Sequence, residues 1–249
     1  MQRPRKPFAR TLAAAEHLSF LQMLRTLGAN SRLRTLTHGL GHVTRSKLAE
    51  VHNTLIHSLH QRYLRVYKDQ NSAWLQITSL ALSYFYTAMT TWANEPLPLP
   101  DLEYTMIVCY RLGVKFQGGC FEHDEVADFL AQCREHYGLA RYDALELHVL
   151  DALDWRLLVI TDFDLVQNCL EALEPDVAGA IRKSTNITMR LIQESSDWAL
   201  QDRSIHAANC VHDSLSRLGA EVEKSRWSSK FRRCLGLMLD LQGSLVGYQ

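Results

Sequence analysis

The 25 residues from Gln70 to Asn94 carry no charged side chain, and this stretch constrains the fold more than any other part of the sequence. An uncharged segment of this length is typical of a helix surrounded either by lipid or by the core of a protein. It contains eleven Ser, Thr, Asn and Gln residues, whose hydroxyls and amides are costly to place in hydrocarbon. We therefore expect a helix over about 73–92 that is buried inside the protein.

The rest of the chain also favours helices. Apolar residues recur at spacings of three and four, and no alternating run is bounded by Asn-Gly or Asp-Gly. Start and stop signals divide the pattern into nine or ten helices. The predicted ranges are about 8–27, 47–67, 73–92, 101–116, 124–137, 141–154, 165–173, 175–200, 202–218 and 228–241. A loop is predicted over 31–44, and a stiff connector over 95–100, where three prolines disfavour a helix.

Several helix ends are marked by capping residues. Asp101 and Asp124 are predicted N-caps, because a short acidic side chain accepts hydrogen bonds from the first free amides of a helix. Thr161 and Asp164 are predicted to form a capping box. Gly138 is expected to end the helix that begins near Asp124.

Charge is distributed unevenly along the chain. Nine basic residues and one acidic residue precede Glu50, which leaves 18 basic and 26 acidic residues for the remainder. A basic arm therefore precedes an acidic body, and we do not expect the body to bind nucleic acid, which needs clustered Lys and Arg. The arm fits three interpretations: a nuclear signal or phosphate contact at residues 3–6, an organellar transit peptide, or a helix that packs on the body.

Spacings typical of catalytic or metal sites are absent from the sequence. Its eleven His and six Cys residues form no HExxH or CxxC pattern, and neither GxxxxGK[ST] nor GxSxG occurs. The cysteines are expected to be reduced and mostly buried thiols of a cytosolic or nuclear protein. We therefore expect no enzymatic activity, no metal and no other cofactor, no membrane insertion, and a function in binding another protein.

Residues 106–170 resemble the cyclin box. An apolar helix ends in Gly-Val-Lys-Phe at 113–116, and Leu-Glu-Leu-His-Val-Leu-Asp-Ala-Leu-Asp-Trp-Arg-Leu follows at 145–157, before Thr161. A weaker resemblance extends over about 45–245. It implies an all-α fold of two tandem five-helix cyclin-like repeats with an N-terminal helical arm. The implied domains are the arm over 1–44, a first cyclin box over 45–157 and a second repeat over 158–249.

The cyclin family consists of non-enzymatic regulatory subunits. The resemblance therefore implies a heterodimer with a cyclin-dependent Ser/Thr protein kinase, which this chain would activate in the nucleus, the cytoplasm or both. Lys115 and Glu146 stand where the family contacts its kinase, and Phe116 is next to Lys115 in the motif. A docking patch for substrates, if retained, would involve Leu59, Tyr63, Leu102 and Glu103.

The chain departs from the family pattern in its first helices. No Trp follows at the family spacing in the first helix, and the Asp-Arg pair of the next helix is replaced by Tyr86-Thr87. Two other binding functions therefore stay open. One is a module like general transcription factors of the IIB type, which have two cyclin-like repeats and an N-terminal zinc ribbon, but this chain lacks paired cysteines. The other is a pseudo-cyclin scaffold. Trp155 is expected in the core in either case.

Overall fold

A computed structural model describes residues 42–67, 72–93, 100–117, 125–173, 175–195, 198 and 203–217. Every regular element within these ranges is a helix, and they contain no strand, in agreement with an all-α fold. The eight helices are α1 (His42–Tyr67), α2 (Ala73–Ala93), α3 (Leu102–Gln117), α4 (Glu125–Tyr137), α5 (Leu139–Ala152), α6 (Asp162–Glu171), α7 (Pro175–Glu194) and α8 (Arg203–Arg217). The helices predicted over 8–27 and 228–241 lie outside the described residues.

Two helix ends differ from the predicted ones by more than three residues. α1 begins at His42 rather than near residue 47, so the loop predicted over 31–44 is wrong for 42–44. The last helix breakers before it are glycines at 39 and 41, and nothing from His42 onward opposes a helix. α7 ends at Glu194 rather than near residue 200. A short 3₁₀ turn at Trp198 follows and places its indole in the core, stacked on Tyr86.

The capping predictions that fall on described residues are confirmed. The Asp101 carboxylate accepts hydrogen bonds from two first-turn amides of α3. Thr161 Oγ1 accepts from the Asp164 amide at 3.2 Å, and the Asp164 carboxylate accepts from the Thr161 amide at 2.8 Å, so the capping box is complete. Gly138 follows α4 with a φ of 90°, a conformation that favours glycine. Asp124 lies outside the described residues.

α2 is the central helix, and its burial explains why the segment lacks charge. Fifteen of its 21 residues are buried, and it packs against α3, α5, α6 and α7. Its hydroxyl side chains donate hydrogen bonds to carbonyl oxygens four residues earlier, so they need no water. These bonds run from Thr78 to Trp74, Ser83 to Ser79, Thr87 to Ser83, Thr90 to Tyr86 and Thr91 to Thr87. The predicted buried helix is confirmed. None of the helices in the described ranges is long and apolar enough to cross a membrane.

α2 and α3 approach each other closely at Gly113. A Cβ atom on Gly113 would lie 3.2 Å from the Ile77 carbonyl oxygen and 3.5 Å from Ile77 Cγ2. The glycine therefore allows backbone-to-side-chain contact between the helices, at the cost of a lower helix propensity. Gly179 in α7 differs, because it is exposed and a Cβ there would meet no atom within 4 Å.

We expect Gly113→Leu to lower the free energy of unfolding by about 1–3 kcal/mol, because the added side chain would force α2 and α3 apart. Gly179→Ala is the matched control, and should raise it by up to about 1 kcal/mol through helix propensity alone. Urea unfolding followed by far-UV circular dichroism measures both values. A Gly113→Leu chain as stable as the wild type would contradict the close packing.

α1 packs on the C-terminal end of α7 through two fully buried histidines. His52 Nε2–H donates to the Gln193 carbonyl oxygen at 2.7 Å, and His52 Nδ1 accepts from the Tyr86 hydroxyl at 2.8 Å. His60 Nδ1–H donates to Glu194 Oε1 at 2.9 Å. Burial lowers the pKa of both histidines, that of His52 to about 4. Both imidazoles are therefore neutral near pH 7.

This arrangement predicts a loss of stability in mild acid. Between pH 6.5 and about 4 the unfolded chain takes up a proton at His52 that the folded chain excludes. The free energy of unfolding should therefore fall as the pH decreases through this window, by about 3 kcal/mol for His52. Urea unfolding at several pH values between 7.5 and 4 measures the slope. His52→Gln should flatten it, and an unchanged slope in that variant would contradict the assignment.

Asp162 is a fully buried carboxylate in the first turn of α6. Its Oδ2 accepts from the Trp198 indole N–H at 2.9 Å, and His206 Nδ1 lies 3.5 Å away. Its Oδ1 accepts from the Phe163 amide at 3.0 Å. Burial alone would raise the pKa of Asp162, but hydrogen bonds from His206, Ser79 and Trp198 outweigh burial and lower it. A charged group therefore joins α2, α6, α8 and the 3₁₀ turn.

The four described cysteines fit the expectation of mostly buried thiols. Cys109, Cys169 and Cys210 are buried, and Cys133 is half-buried. Burial raises the pKa of the Cys109 and Cys210 thiols. Neither is therefore a reactive thiolate at neutral pH. Cys120 and Cys234 lie outside the described residues.

Candidate partner-binding surface

The last turn of α3 brings Lys115 and Phe116 to the protein surface. The preceding turns are buried as far as Gly113 and pack against α2. Beyond Gly113 the helix faces solvent, and 47% of the Lys115 side chain and 41% of Phe116 are exposed. Lys115 also complements the negative end of the helix dipole, which favours its position whether or not it has a partner.

Glu146 lies on α5 at the border between the buried and exposed faces. Tyr142, Leu145, Val149 and Leu150 form the buried face of this helix. The Glu146 side chain is 17% exposed, whereas the neighbouring Leu147 is half-exposed. α3 and α5 pack against each other, so the two helices present one continuous surface.

Lys115 and Glu146 form an ion pair across this surface. Lys115 Nζ lies 2.5 Å from Glu146 Oε1, although the two residues are 31 positions apart in the chain. Arg111 Nη1 is 3.9 Å from Glu146 Oε2, and the Arg111 guanidinium also lies over the Tyr142 ring. Within the described residues, Glu146 Oε2 accepts no hydrogen bond. The carboxylate thus faces two cations and retains an oxygen for a further donor.

The ion pair is suited to exchange its partners. Because Lys115 is about half-exposed, the pair contributes about 0–1 kcal/mol to stability, and opening it costs little. A partner that accepts from Lys115 and donates to Glu146 would form charge-assisted bonds of about 1.5–3 kcal/mol each. All three residues predicted at the kinase contact therefore lie on one exposed surface. Their role in binding stays a prediction.

The four residues predicted for a docking patch do not share one environment. Glu103 is exposed and Leu102 is half-buried at the start of α3. Leu59 and Tyr63 of α1 are buried, with 0% and 1% of their surface exposed. These two side chains belong to the core, because the apolar stripe of α1 packs inward. They offer no surface to a docked peptide in this structure, and the function of the patch stays a prediction.

A groove beside Glu103 lies where α1, α3 and α4 meet. It has a volume of about 310 Å³. Its walls combine apolar side chains with hydroxyls and carboxylates. They are Glu50, Val51, Thr54, Leu55, Ser58, Glu103 and Phe129.

Trp155 is 60% exposed, so the expectation that it lies in the core is wrong. α5 ends at Ala152, and Asp154 and Trp155 adopt left-handed conformations with φ of 53° and 55°. The Trp155 amide donates to the Leu150 carbonyl oxygen, and the indole N–H donates to Asp151 Oδ1 at 3.0 Å. This turn directs the indole outward, which the apolar spacing of 145–157 did not predict.

Sequence reasoning also missed the buried polar contacts of His52 and Asp162. A signal for His52 was present, because it lies four residues after Leu48 on the apolar stripe of α1. Asp162 was considered only as part of a helix start, and nothing local marks it as a buried ion. No group of three His, Cys, Asp or Glu residues that could hold a metal ion occurs in the described part of the chain.

The sequence matches no protein-family model and no curated protein. The interpretation of the α3–α5 surface therefore depends on its own geometry and chemistry.

Proposed function

We propose that the protein is a cyclin-like regulatory subunit that binds and activates a cyclin-dependent Ser/Thr protein kinase, without being an enzyme itself. The meeting of Lys115 and Glu146 beside the exposed Phe116 is the observation that carries this proposal. These residues occupy the positions at which the sequence resembles the kinase contact of the cyclin box. Their contact across 31 positions of chain is a requirement of that role.

The proposal includes a fold of two tandem cyclin-like repeats. α1 to α5 would be the five helices of the first repeat, and α6 to α8 the first three of the second. Thr161 would open the second repeat at its capping box. The central, buried position of α2 and the packing of α3 against both α2 and α5 support this assignment.

The activating mechanism would be a shift between two states of the kinase. A kinase is active when the Lys of its β3 strand pairs with the Glu of its αC helix. A subunit that binds αC only in that position favours the active state by its difference in affinity for the two states. The αC helix would lie against α3 and α5, over Phe116, with Lys115 and Glu146 bonded to the kinase's main chain and charged side chains.

The available contacts are large enough for such a shift. Moving a kinase from 1% to 99% active requires a difference of about 5.5 kcal/mol between the affinities for the two states. Two charge-assisted bonds supply about 1.5–3 kcal/mol each. Burial of Phe116 adds about 1.5–3 kcal/mol less the part already covered. Together these contacts reach the required magnitude.

Co-purification tests the proposal. The tagged full-length chain is isolated from its native cells, and its partners are identified by mass spectrometry and assayed for Ser/Thr kinase activity. We expect a protein kinase in near-equal amount, with activity above that of the kinase alone. Capture of other proteins without a kinase would favour the pseudo-cyclin scaffold. DNA binding with a steep salt dependence would favour a module of the transcription factor IIB type.

A further inference from the structure

The groove between α1, α3 and α4 combines an apolar interior with an acidic edge. Leu55 is buried, and Val51 and Phe129 are half-buried, whereas Glu50 and Glu103 are exposed. The described residues that line the groove include no basic side chain. The nearest cation in contact with the lining is Arg62, whose guanidinium stacks on the Phe129 ring at 4.4 Å. An occupant should therefore carry apolar side chains that alternate with positive charge.

The basic arm of this chain has that composition. Residues 1–41 contain seven basic residues and one acidic residue. The segment 25–36, Arg-Thr-Leu-Gly-Ala-Asn-Ser-Arg-Leu-Arg-Thr-Leu, has three arginines, three leucines and no acid, and it contains the triplet Arg-Thr-Leu twice. Its leucines match the apolar interior of the groove, and its arginines match the two carboxylates at the edge.

The length of chain allows this segment to reach the groove. Five residues, 37–41, separate it from the start of α1 at His42, and an extended chain of five residues spans about 17 Å. Glu50 and Leu55 follow His42 by eight and thirteen residues, which corresponds to about 12 and 20 Å along the helix. A segment that folds back along α1 therefore arrives beside the groove.

We propose that residues 25–36 dock in the groove between α1, α3 and α4 of the same chain. Arg32 and Arg34 pair with Glu50 and Glu103, and the leucines enter the apolar interior. A tethered segment has an effective concentration in the millimolar range, so weak individual contacts suffice and a free peptide of similar composition is excluded. The docking does not depend on kinase binding, since it involves neither Lys115 nor Glu146.

Limited trypsin digestion of the full-length protein tests the docking, because trypsin cuts after Arg25, Arg32 and Arg34. We expect Glu50→Lys/Glu103→Lys to raise the rate of cleavage at these sites about tenfold, since two attractive pairs become repulsive. The matched control Glu135→Lys/Glu171→Lys changes two exposed acids outside the groove lining and should leave these rates unchanged. Mass spectrometry assigns each cut, and circular dichroism confirms that each variant is folded.

A charge-exchange variant makes the test specific. Arg32→Glu/Arg34→Glu should by itself speed cleavage after Arg25, and adding Glu50→Lys/Glu103→Lys should restore protection there. In trans, a labelled peptide of residues 25–36 should bind the Arg32→Glu/Arg34→Glu chain about tenfold tighter than the wild type, whose groove is occupied. Equal arm cleavage in the wild type and the groove variant, or no restored protection in the combined variant, would overturn the proposal.

Discussion

Lys115→Glu and Glu146→Lys are each expected to abolish capture of the kinase and to leave the fold intact. Each reversal replaces a charge-assisted bond with a repulsion inside the interface, which should weaken affinity by at least about a hundredfold. The loss of the half-exposed ion pair costs the free chain about 1 kcal/mol or less. Co-purification and titration with the purified kinase measure the first effect, and urea unfolding measures the second.

The combined variant Lys115→Glu/Glu146→Lys distinguishes an interface from an internal contact. It exchanges the two charges and so re-forms the ion pair seen at 2.5 Å. If the residues act only by holding α3 on α5, this exchange should restore kinase capture. If they face the kinase, capture should stay lost, and that is the result we expect.

The chain offers a matched control for this exchange. Arg134 of α4 and Asp143 of α5 form a second surface ion pair between helices, with Arg134 Nη2 2.8 Å from Asp143 Oδ1. Arg134→Asp/Asp143→Arg should leave kinase capture unchanged. Normal capture by the Lys115→Glu or Glu146→Lys chain would remove that residue from the binding surface and leave the resemblance as an indication of fold alone.

Asp162→Ala is expected to have the largest effect on stability, a loss of about 3–5 kcal/mol in the free energy of unfolding. Removing one member of a buried charged cluster leaves the remaining members without partners in a medium of low dielectric constant. The Trp198 indole N–H would lose its acceptor, and the buried His206 ring would lose the nearby carboxylate. Urea unfolding monitored by tryptophan fluorescence and by circular dichroism measures the loss.

Two milder variants separate the contributions at this site. Trp198→Phe keeps the stacking on Tyr86 but removes the indole donor, and should cost about 1–2 kcal/mol. Asp162→Asn keeps the size and one acceptor oxygen but removes the charge, and should fall between Trp198→Phe and Asp162→Ala. An Asp162→Ala chain within about 1 kcal/mol of the wild type would mean that the carboxylate is not ionised in the folded protein.

The helices and their ends could be predicted from the sequence because their signals are local. The Thr161 capping box and the Asp101 N-cap depend on residues within four positions of each other. The burial of α2 followed from an uncharged stretch of 25 residues, since such a helix has no face suited to water. The resemblance to the cyclin box marked Lys115 and Glu146, but no rule of spacing required them to meet.

The sequence by itself determined the all-helical class, most helix bounds and the buried central helix, because these depend on short-range patterns of polarity. Only the tertiary structure decided that His52 is sealed against Gln193, 141 residues away, and that Asp162 is a buried ion beneath Trp198. It also decided that Trp155 points into solvent. Such contacts join residues from distant helices, and their energy depends on burial and on partners that exist only after the helices have packed.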